Sequence, residues 1–263
     1  MYVLKQVPSE AKIRKYIKQA IFGKNVFCPL CRSQTIVRFE DRYRCKRCRL
    51  KFSLLSHTWL KGMRLSLPKF WLLLWCWQRK SPVEQTMNLT HLSEKAVRHW
   101  YSVFRANLPD FTNILEQKIQ MDEAYMKNNS ILMAKQIGSR KLAWQVLNKA
   151  RVDQHDAVNF MIQHLKPRSR FQTDGAKIYK HGKDYWMLRH KSDNHSKWEF
   201  SLTSEIEGLF GNLRTFIRRM YHHVTPDKLP EYVSEFCFRF SLPEMFNSPN
   251  EYLLKTLSLV PTR

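Results

Sequence analysis

Two cysteine pairs constrain this chain more than anything else in it. Cys28-Pro-Leu-Cys31 and Cys45-Lys-Arg-Cys48 form a CxxC…CxxC pattern with thirteen residues between the pairs. Two thiolates three positions apart on a tight turn share one ion, and two such turns close a tetrahedral four-thiolate site. Soft sulfur ligands and tetrahedral geometry both favour Zn²⁺. A closed site leaves no coordination position for substrate, so the predicted role is structural. In a reducing compartment this spacing points to metal rather than disulfides. Cys76 and Cys237 stand alone among apolar residues, where packing is the default expectation.

Cations crowd the same stretch: Arg32, Arg38, Arg42, Arg44, Lys46, Arg47, Arg49 and Lys51. Such a small basic module reads as a phosphate-binding knob, with Arg44, Lys46 and Arg47 as DNA-contact candidates. The excess extends over the whole chain, with 45 Lys and Arg against 22 Asp and Glu, a formal net charge of +23 on 263 residues. Self-repulsion on this scale disfavours the compact state. Against a polyanion it is useful, because each neutralised phosphate releases condensed counterions. Charge alone is satisfied equally by DNA, ribosomal RNA or an anionic membrane surface. With 43% hydrophobic and 13% aromatic residues, the chain is not wholesale disordered. Met1–Ala20 lacks an apolar h-region and is dotted with lysines. The longest apolar run, Phe70–Trp77, falls far short of the roughly 20 residues a spanning helix needs. The expectation is a soluble intracellular protein with no membrane partner.

Three zones follow from texture. Residues 1–62 hold a basic amphipathic helix over Glu10–Ile21 and the cysteine module. Residues 63–112 are helical and rich in Trp, broken at Ser81-Pro82. Pro82–Leu89 and Leu92–Phe104 there have the lengths of a helix-turn-helix, with Ser93 as N-cap and Ala96, Val97, Trp100 and Phe104 as the inward stripe. Lys95, Arg98 and His99 would then face a major groove, although an ordinary helical hairpin with a solvated basic face has the same pattern. Residues 113–263 mix strands (Lys118–Met121, Ala143–Leu147, Arg170–Thr173, Tyr185–Arg189) with helices (His155–Leu165, Glu205–Met220, Lys228–Phe240).

Acidic residues are scarce, so their placement is informative. Asp122 closes the strand-like Lys118–Met121, and Asp174 closes Arg170–Thr173 just before Gly175. Glu207 lies in the helix-like Ser204–Arg214. Strand-end Asp, strand-end Asp, helix Glu is the order that assembles a two-Mg²⁺ site on a ribonuclease H-like sheet. A strand-end Asp taken singly is as often a turn-former or helix cap. Arg214 is seven residues after Glu207, close to two turns, and projects from the same face. Glu205 is about 200° away from Glu207 and faces nearly the opposite way.

These residues carry a family resemblance that runs nearly end to end. The chain resembles the small bacterial insertion-sequence transposases with an N-terminal zinc ribbon and a DDE domain, a group related to eukaryotic Merlin transposons. Phe22–Cys31 is similar to the entry into the ribbon, and Arg42–Cys48 with Lys51-Phe-Ser53 to its exit. Met121-Asp-Glu-Ala-Tyr125 and Thr173–Tyr179 match two catalytic blocks, and Asn194-His-Ser196 a block before the final helix. Ile206–Arg214, Tyr221-His-His-Val224 and Tyr232–Arg239 are the most specific stretches. Three positions depart from the pattern: Arg214 replaces the usual Lys, Ser204 an Asn, and Asn128-Asn129 a glycine pair.

The resemblance implies that Asp122, Asp174 and Glu207 bind the catalytic Mg²⁺ or Mn²⁺, with Arg214 beside them. It implies a chain that binds the terminal inverted repeats of its element, cleaves DNA and joins the freed ends to target DNA. The expected architecture is an α/β, ribonuclease H-like catalytic domain preceded by a zinc ribbon and a helix-turn-helix region. The expected partner is double-stranded DNA, with homo-oligomerisation on it. The expected location is the bacterial cytoplasm at the nucleoid, or the nucleus of a eukaryotic host. The competing expectations are a domesticated DNA-binding descendant and a plain metal-dependent nuclease. The cysteine pattern predicts about one Zn²⁺ per chain, with metal loss and partial unfolding of the N-terminal third in Cys28→Ser or Cys45→Ser. Metal analysis of freshly purified, reduced protein checks this, and absence of zinc contradicts it.

Overall fold

The cysteine-rich stretch folds into a three-stranded antiparallel sheet, β1 (Ile36–Phe39), β2 (Arg42–Cys45) and β3 (Lys51–Ser53), in that spatial order. The computed structural model describes residues 7–109, 113–180, 184, 186–192 and 203–259. The chain divides into two units, Met1–Pro109 with Glu244–Arg263, and Asp110–Pro243.

In the first unit, Ser9 opens helix α1 (Glu10–Phe22) by accepting the Lys12 amide at 3.4 Å. Ile13, Ile17 and Ile21 recur every four residues and are buried. The helix ends at Gly23, whose φ of +65° costs glycine nothing. Phe52 of β3 is buried between Tyr43, stacked at 5.4 Å, and Phe22 at 6.3 Å.

Helices α2 (Leu67–Gln78), α3 (Val83–Thr90) and α4 (Glu94–Ala106) fill the predicted helical zone. Ser93 caps α4 as expected, accepting the Ala96 amide at 3.3 Å, and His91 ends α3 in a left-handed conformation. The α3–α4 pair is locked from inside: Tyr101 Oη lies 2.7 Å from Thr86 Oγ1 and donates to the Ser81 carbonyl at 3.0 Å. Trp100 packs against Phe70 and Phe104 at 5.7 and 5.9 Å.

The C-terminal helix, Pro249–Thr256, completes this unit. Tyr252 is fully buried among Trp59, Trp77 and Phe104, and its hydroxyl donates to the Phe104 carbonyl at 2.7 Å. Gln78 Nε2 donates to the carbonyls of Met245 (3.0 Å) and Ser248 (2.8 Å). Sequence texture carried the catalytic domain to residue 263, whereas Glu244–Arg263 packs with the N-terminal residues. An eight-residue helix whose partners lie about 150 to 200 positions away leaves no local trace of that allegiance.

The second unit holds a five-stranded sheet in the order β6-β5-β4-β7-β8, from β4 (Lys118–Met126), β5 (Asn129–Gln136), β6 (Leu142–Leu147), β7 (Arg170–Thr173) and β8 (Arg189–Ser192). The β4–β5 and β5–β6 pairs are antiparallel, and β4–β7 and β7–β8 parallel. Helix α5 (Gln154–His164) connects β6 to β7, and α6 (Ser204–Tyr221) and α7 (Leu229–Ser241) follow the sheet. This mixed sheet is the ribonuclease H-like fold. The β4–β5 hairpin closes with Lys127 and Asn128 at φ +53° and +63°, the signature of a tight turn in which Asn tolerates the left-handed region. Asn129 is buried and donates to the Pro226 carbonyl at 2.7 Å.

Alternation along β4 decides what each face receives. Ile119 and Met121 join a core with Leu132, Ala134, Phe171 and the α5 residues Ala157, Phe160 and Met161. Gln120, Asp122 and Ala124 take the opposite face, the one that receives α6. Strand β5, buried along nearly its full length, shows no hydrophobic alternation and was not anticipated from sequence. Among the described residues no helix is long and apolar enough to cross a membrane. Tyr252→Ala is expected to destabilise the first unit by ~3–5 kcal/mol, the usual cost of emptying a large aromatic site. Urea unfolding followed by Trp fluorescence measures this, and an unchanged midpoint contradicts the packing role.

Candidate active site

The four ribbon cysteines meet. Their sulfurs all lie within 4.8 Å of one another, with Cys28 and Cys48 at 3.4 Å and Cys31 and Cys45 at 3.6 Å. Bonds of ~2.3 Å in a tetrahedral thiolate site give sulfur separations of roughly 3.8 Å, so the set fits one ion. Cys28 and Cys45 are buried and Cys31 and Cys48 half-buried. The Cys48 amide, pointing at the Cys45 sulfur, leads the effects that lower the Cys45 thiol to about 6. The neighbouring Cys48 thiol goes the other way: against the lowering Leu50 amide, burial and the adjacent cysteines push it up to about 12. The cluster is capable of holding a structural metal.

The acidic residues are built into the second unit from three elements. Asp122 sits on β4, with Oδ1 accepting the Glu123 amide at 2.9 Å. Asp174 follows β7, and its Oδ1 accepts the Ala176 amide at 3.0 Å. The turn beyond it needs Gly175 at φ +84°, and Thr173 Oγ1 braces it by accepting the Gly175 amide and meeting His190 Nε2 at 2.9 Å. Glu207 is exposed in the first turn of α6. The Gln120 side chain pins that turn to β4 by accepting the Ile206 amide at 3.0 Å.

Neighbouring carboxylates bear on Asp122. Burial is the largest influence on Asp122, followed among the raising effects by the negative charges of Glu123, Asp174 and Glu207, and its pKa is pushed up to about 7. The strand expected to end at Met121 runs on to Met126, so Asp122 lies mid-strand, and negative charge gathered beside it suits a divalent cation with oxygen ligands. Glu205 takes no part: it pairs with Lys135 of β5, whose side chain is almost fully buried. Arg214 is exposed on the same helix, two turns beyond Glu207.

Several neighbours escaped the sequence reading. Thr203 precedes α6, and its hydroxyl donates to Glu207 Oε1 at 2.7 Å instead of capping a helix amide. Tyr179 is fully buried and donates to Glu123, tying the Asp174 loop to β4. Its only signal was inclusion in the second matched block. The Tyr232–Arg239 stretch encloses a structural centre: buried Glu235 pairs with Arg239 at 2.7 Å and accepts the Tyr221 hydroxyl at 2.7 Å. His222 and His223 are exposed, and His222 ends α6 with φ +58°. Asn194-His-Ser196 and Tyr185 lie outside the described residues. In the first unit, Arg44, Lys46, Arg47, Lys95 and Arg98 are all exposed, with Arg98 paired to Glu94 at 2.7 Å.

The ribonuclease H-like core and the four-cysteine ribbon each match a transposase domain, which classes the core as a DDE-type polynucleotidyl transferase domain. Residues 8–51 match the transposase zinc-ribbon domain and residues 129–241 the ISXO2-like transposase domain, the latter range including Asp174 and Glu207. The chain carries the pair of a DDE transposase domain and a zinc-ribbon domain that is characteristic of IS1595-type insertion sequences.

Among solved structures, it is similar to a chain of the simian T-cell lymphotropic virus intasome in complex with PP2A regulatory subunit B56 gamma (14% identity, 60% of this chain and 68% of that one, TM-score 0.36). It is also similar to the HTLV-2 integrase catalytic core domain in complex with magnesium (10% identity, 49% and 88%, TM-score 0.34). The BIV integrase catalytic core domain is a third (11% identity, 47% and 82%, TM-score 0.34). No curated protein matches the chain.

Because the folded pKa of Asp122 lies above its ordinary 3.8, folding takes up a proton there between about pH 4 and 7. Its ionisation therefore removes stability as pH rises through that window. In chelator, Asp122→Asn is expected to stabilise the protein above pH 7, by at most about 4 kcal/mol, and to change little near pH 4. Thermal unfolding across this range tests it, and equal effects at both ends contradict it.

Proposed function

We propose that this protein is an insertion-sequence transposase that binds the inverted ends of its element, cleaves there, and joins the freed 3′-hydroxyl to target DNA. Asp122, Asp174 and Glu207 form its metal-binding triad. The observation that carries the reading is the transposase zinc-ribbon match over residues 8–51 together with the ISXO2-like transposase match over residues 129–241. Bound by them, two Mg²⁺ or Mn²⁺ ions would supply the charge that stabilises attacking and leaving oxygens in an in-line displacement at phosphorus.

The chain's own residues do the positioning. Thr203 orients the Glu207 carboxylate, Gln120 holds its helix to β4, and the Gly175 turn presents Asp174. Arg214, on the exposed side of α6, holds the DNA backbone near the reacting phosphate; its planar guanidinium makes two-pronged contacts that the usual Lys does not. Zn²⁺ is the ion that the four thiolates suit. The exposed cations Arg44, Lys46, Arg47, Lys95 and Arg98 contribute salt-dependent affinity for double-stranded DNA. The protein assembles as a homo-oligomer on DNA and works at the bacterial nucleoid.

Glu207→Gln should lose cleavage and strand transfer by orders of magnitude while keeping end binding, as should Asp122→Asn and Asp174→Asn. Glu205→Gln, which only exchanges a partly exposed ion pair with Lys135 for a neutral contact, should remain close to wild type in activity. Strand-transfer assays with element-end DNA and divalent metal read both. An inactive Glu205→Gln beside an active Glu207→Gln would reverse the two assignments and remove Arg214 from its role. Cleavage without joining in the wild type would leave a nuclease, and binding without cleavage a domesticated DNA-binding protein.

A further inference from the structure

We infer that the outer face of the ribbon sheet binds unpaired nucleotides, with Phe39 as the stacking platform and the surrounding cations as phosphate contacts. This rests on the reading of the chain as a DNA-acting protein and specifies which form of DNA this face takes.

The strand register assembles the face. Val37 stands opposite Arg44, Phe39 opposite Arg42, and Arg44 opposite Lys51, so alternation sends all five side chains to the same side. Tyr43 and Phe52, one position out of phase, take the other side and pack inward. Phe39 is 69% exposed, more than any other large hydrophobic residue among those described, and Val37 beside it is 42% exposed. The two-residue turn after Phe39 does not need an aromatic side chain. Folding therefore leaves a phenyl side chain in water beside the β1–β2 turn, on the same face as Arg42, Arg44 and Lys51.

The cations are free to act. Arg42, Arg44, Lys46, Arg49 and Lys51 are exposed, and among the described residues none takes part in an ion pair. With Phe39 they line a concavity of about 720 Å³ on which Glu40 is the one acid. Arg49 adds an independent sign. It follows Cys48 with φ +64°, a conformation that glycine adopts without strain, and its amide donates to the Cys45 carbonyl at 3.1 Å. Arg32 holds the equivalent place after Cys31 at φ +58°, but its guanidinium lies over the Phe27 ring. The Arg49 side chain has no such partner among the described residues, so the fold bears a strained arginine that its own packing does not use.

Charge decides the class of partner, and the aromatic ring decides its form. A second copy of this face would set five cations against five, which disfavours self-association through it. A polyanion complements it. In an intact duplex the faces of the bases are hidden in the stack, leaving only edges and phosphates. An exposed phenyl ring flanked by arginines instead matches the stacking platforms that hold single strands. Unpaired nucleotides at a cut or frayed DNA end supply both the base face and the phosphates.

Fluorescence anisotropy with the full-length protein tests this, using one element-end duplex either blunt or carrying a single-stranded thymidine tail. Wild type should prefer the tailed probe, and Phe39→Ala should reduce tailed binding by about tenfold, the order of one lost base–aromatic stack, while blunt binding stays unchanged. Phe39→Trp should keep the preference. Arg49→Gly should weaken tailed binding while melting at the same or a higher temperature, which separates a ligand contact from a folding defect. The inference is overturned if wild type binds both probes equally or Phe39→Ala keeps the preference; end binding would still stand. It is also overturned if Phe39→Ala alters self-association in sedimentation and leaves tail binding intact. Failure of wild type to bind either probe would remove the DNA-binding reading as well.

Discussion

Strand β4 is bonded along both edges, antiparallel to β5 and, over its first residues, parallel to β7, and the rest of the catalytic unit is arranged by that pairing. Period-two alternation then sends its side chains to opposite faces without further choice. Ile119 and Met121 enter the core under α5, while Gln120 and Asp122 face α6. One strand therefore both anchors the fold and presents Asp122 toward α6. The parallel pairing with β7 carries Asp174 to the same region, and the Gln120 side chain fixes the first turn of α6 that holds Glu207.

This arrangement sets stability against function. A half-buried Asp122 near other carboxylates is an unfavourable place for a negative charge, and burial first, then those charges, push its pKa up to about 7. The surroundings compensate with neutral hydrogen bonds: the Glu123 amide to Asp122, the Ala176 amide to Asp174 and the Thr203 hydroxyl to Glu207. The buried Glu235–Arg239 pair with Tyr221 is a different solution, in which opposite charges and a hydroxyl satisfy one another and stiffen the junction of α6 and α7. The ribbon repeats the theme on a small scale, with arginines at the left-handed positions after both CxxC turns. In each place an unfavourable local state is held by neighbours that over-determine it.

Much of this was legible before any coordinates. The CxxC pairs specified a four-sulfur cluster because ligand spacing on a tight turn is a local matter. Ser93 announced the start of α4, since a cap depends on its own three following residues. Helix phase separated Glu205 from Glu207, and the structure places Glu205 on Lys135. Less legible was β5, whose burial on both faces erases the alternation that identifies a strand. Thr203, Gln120 and Tyr179 carried no pattern of their own, because each acts on a residue that local sequence does not bring near.

By itself the sequence determined the local chemistry: the thiolate set, the helix and turn punctuation, the basic character of the N-terminal modules, and the residue types suited to metal and phosphate. Only the tertiary structure decided which side of the ribbon sheet leaves Phe39 in water and which packs Phe52. It also decided that Glu244–Arg263 joins the N-terminal unit through Tyr252 and Gln78. The physical reason is range. Caps, turns and ligand spacings act over a few residues and are written in them, whereas strand pairing and burial join residues far apart in the chain, and their outcome depends on what the whole chain packs beside them.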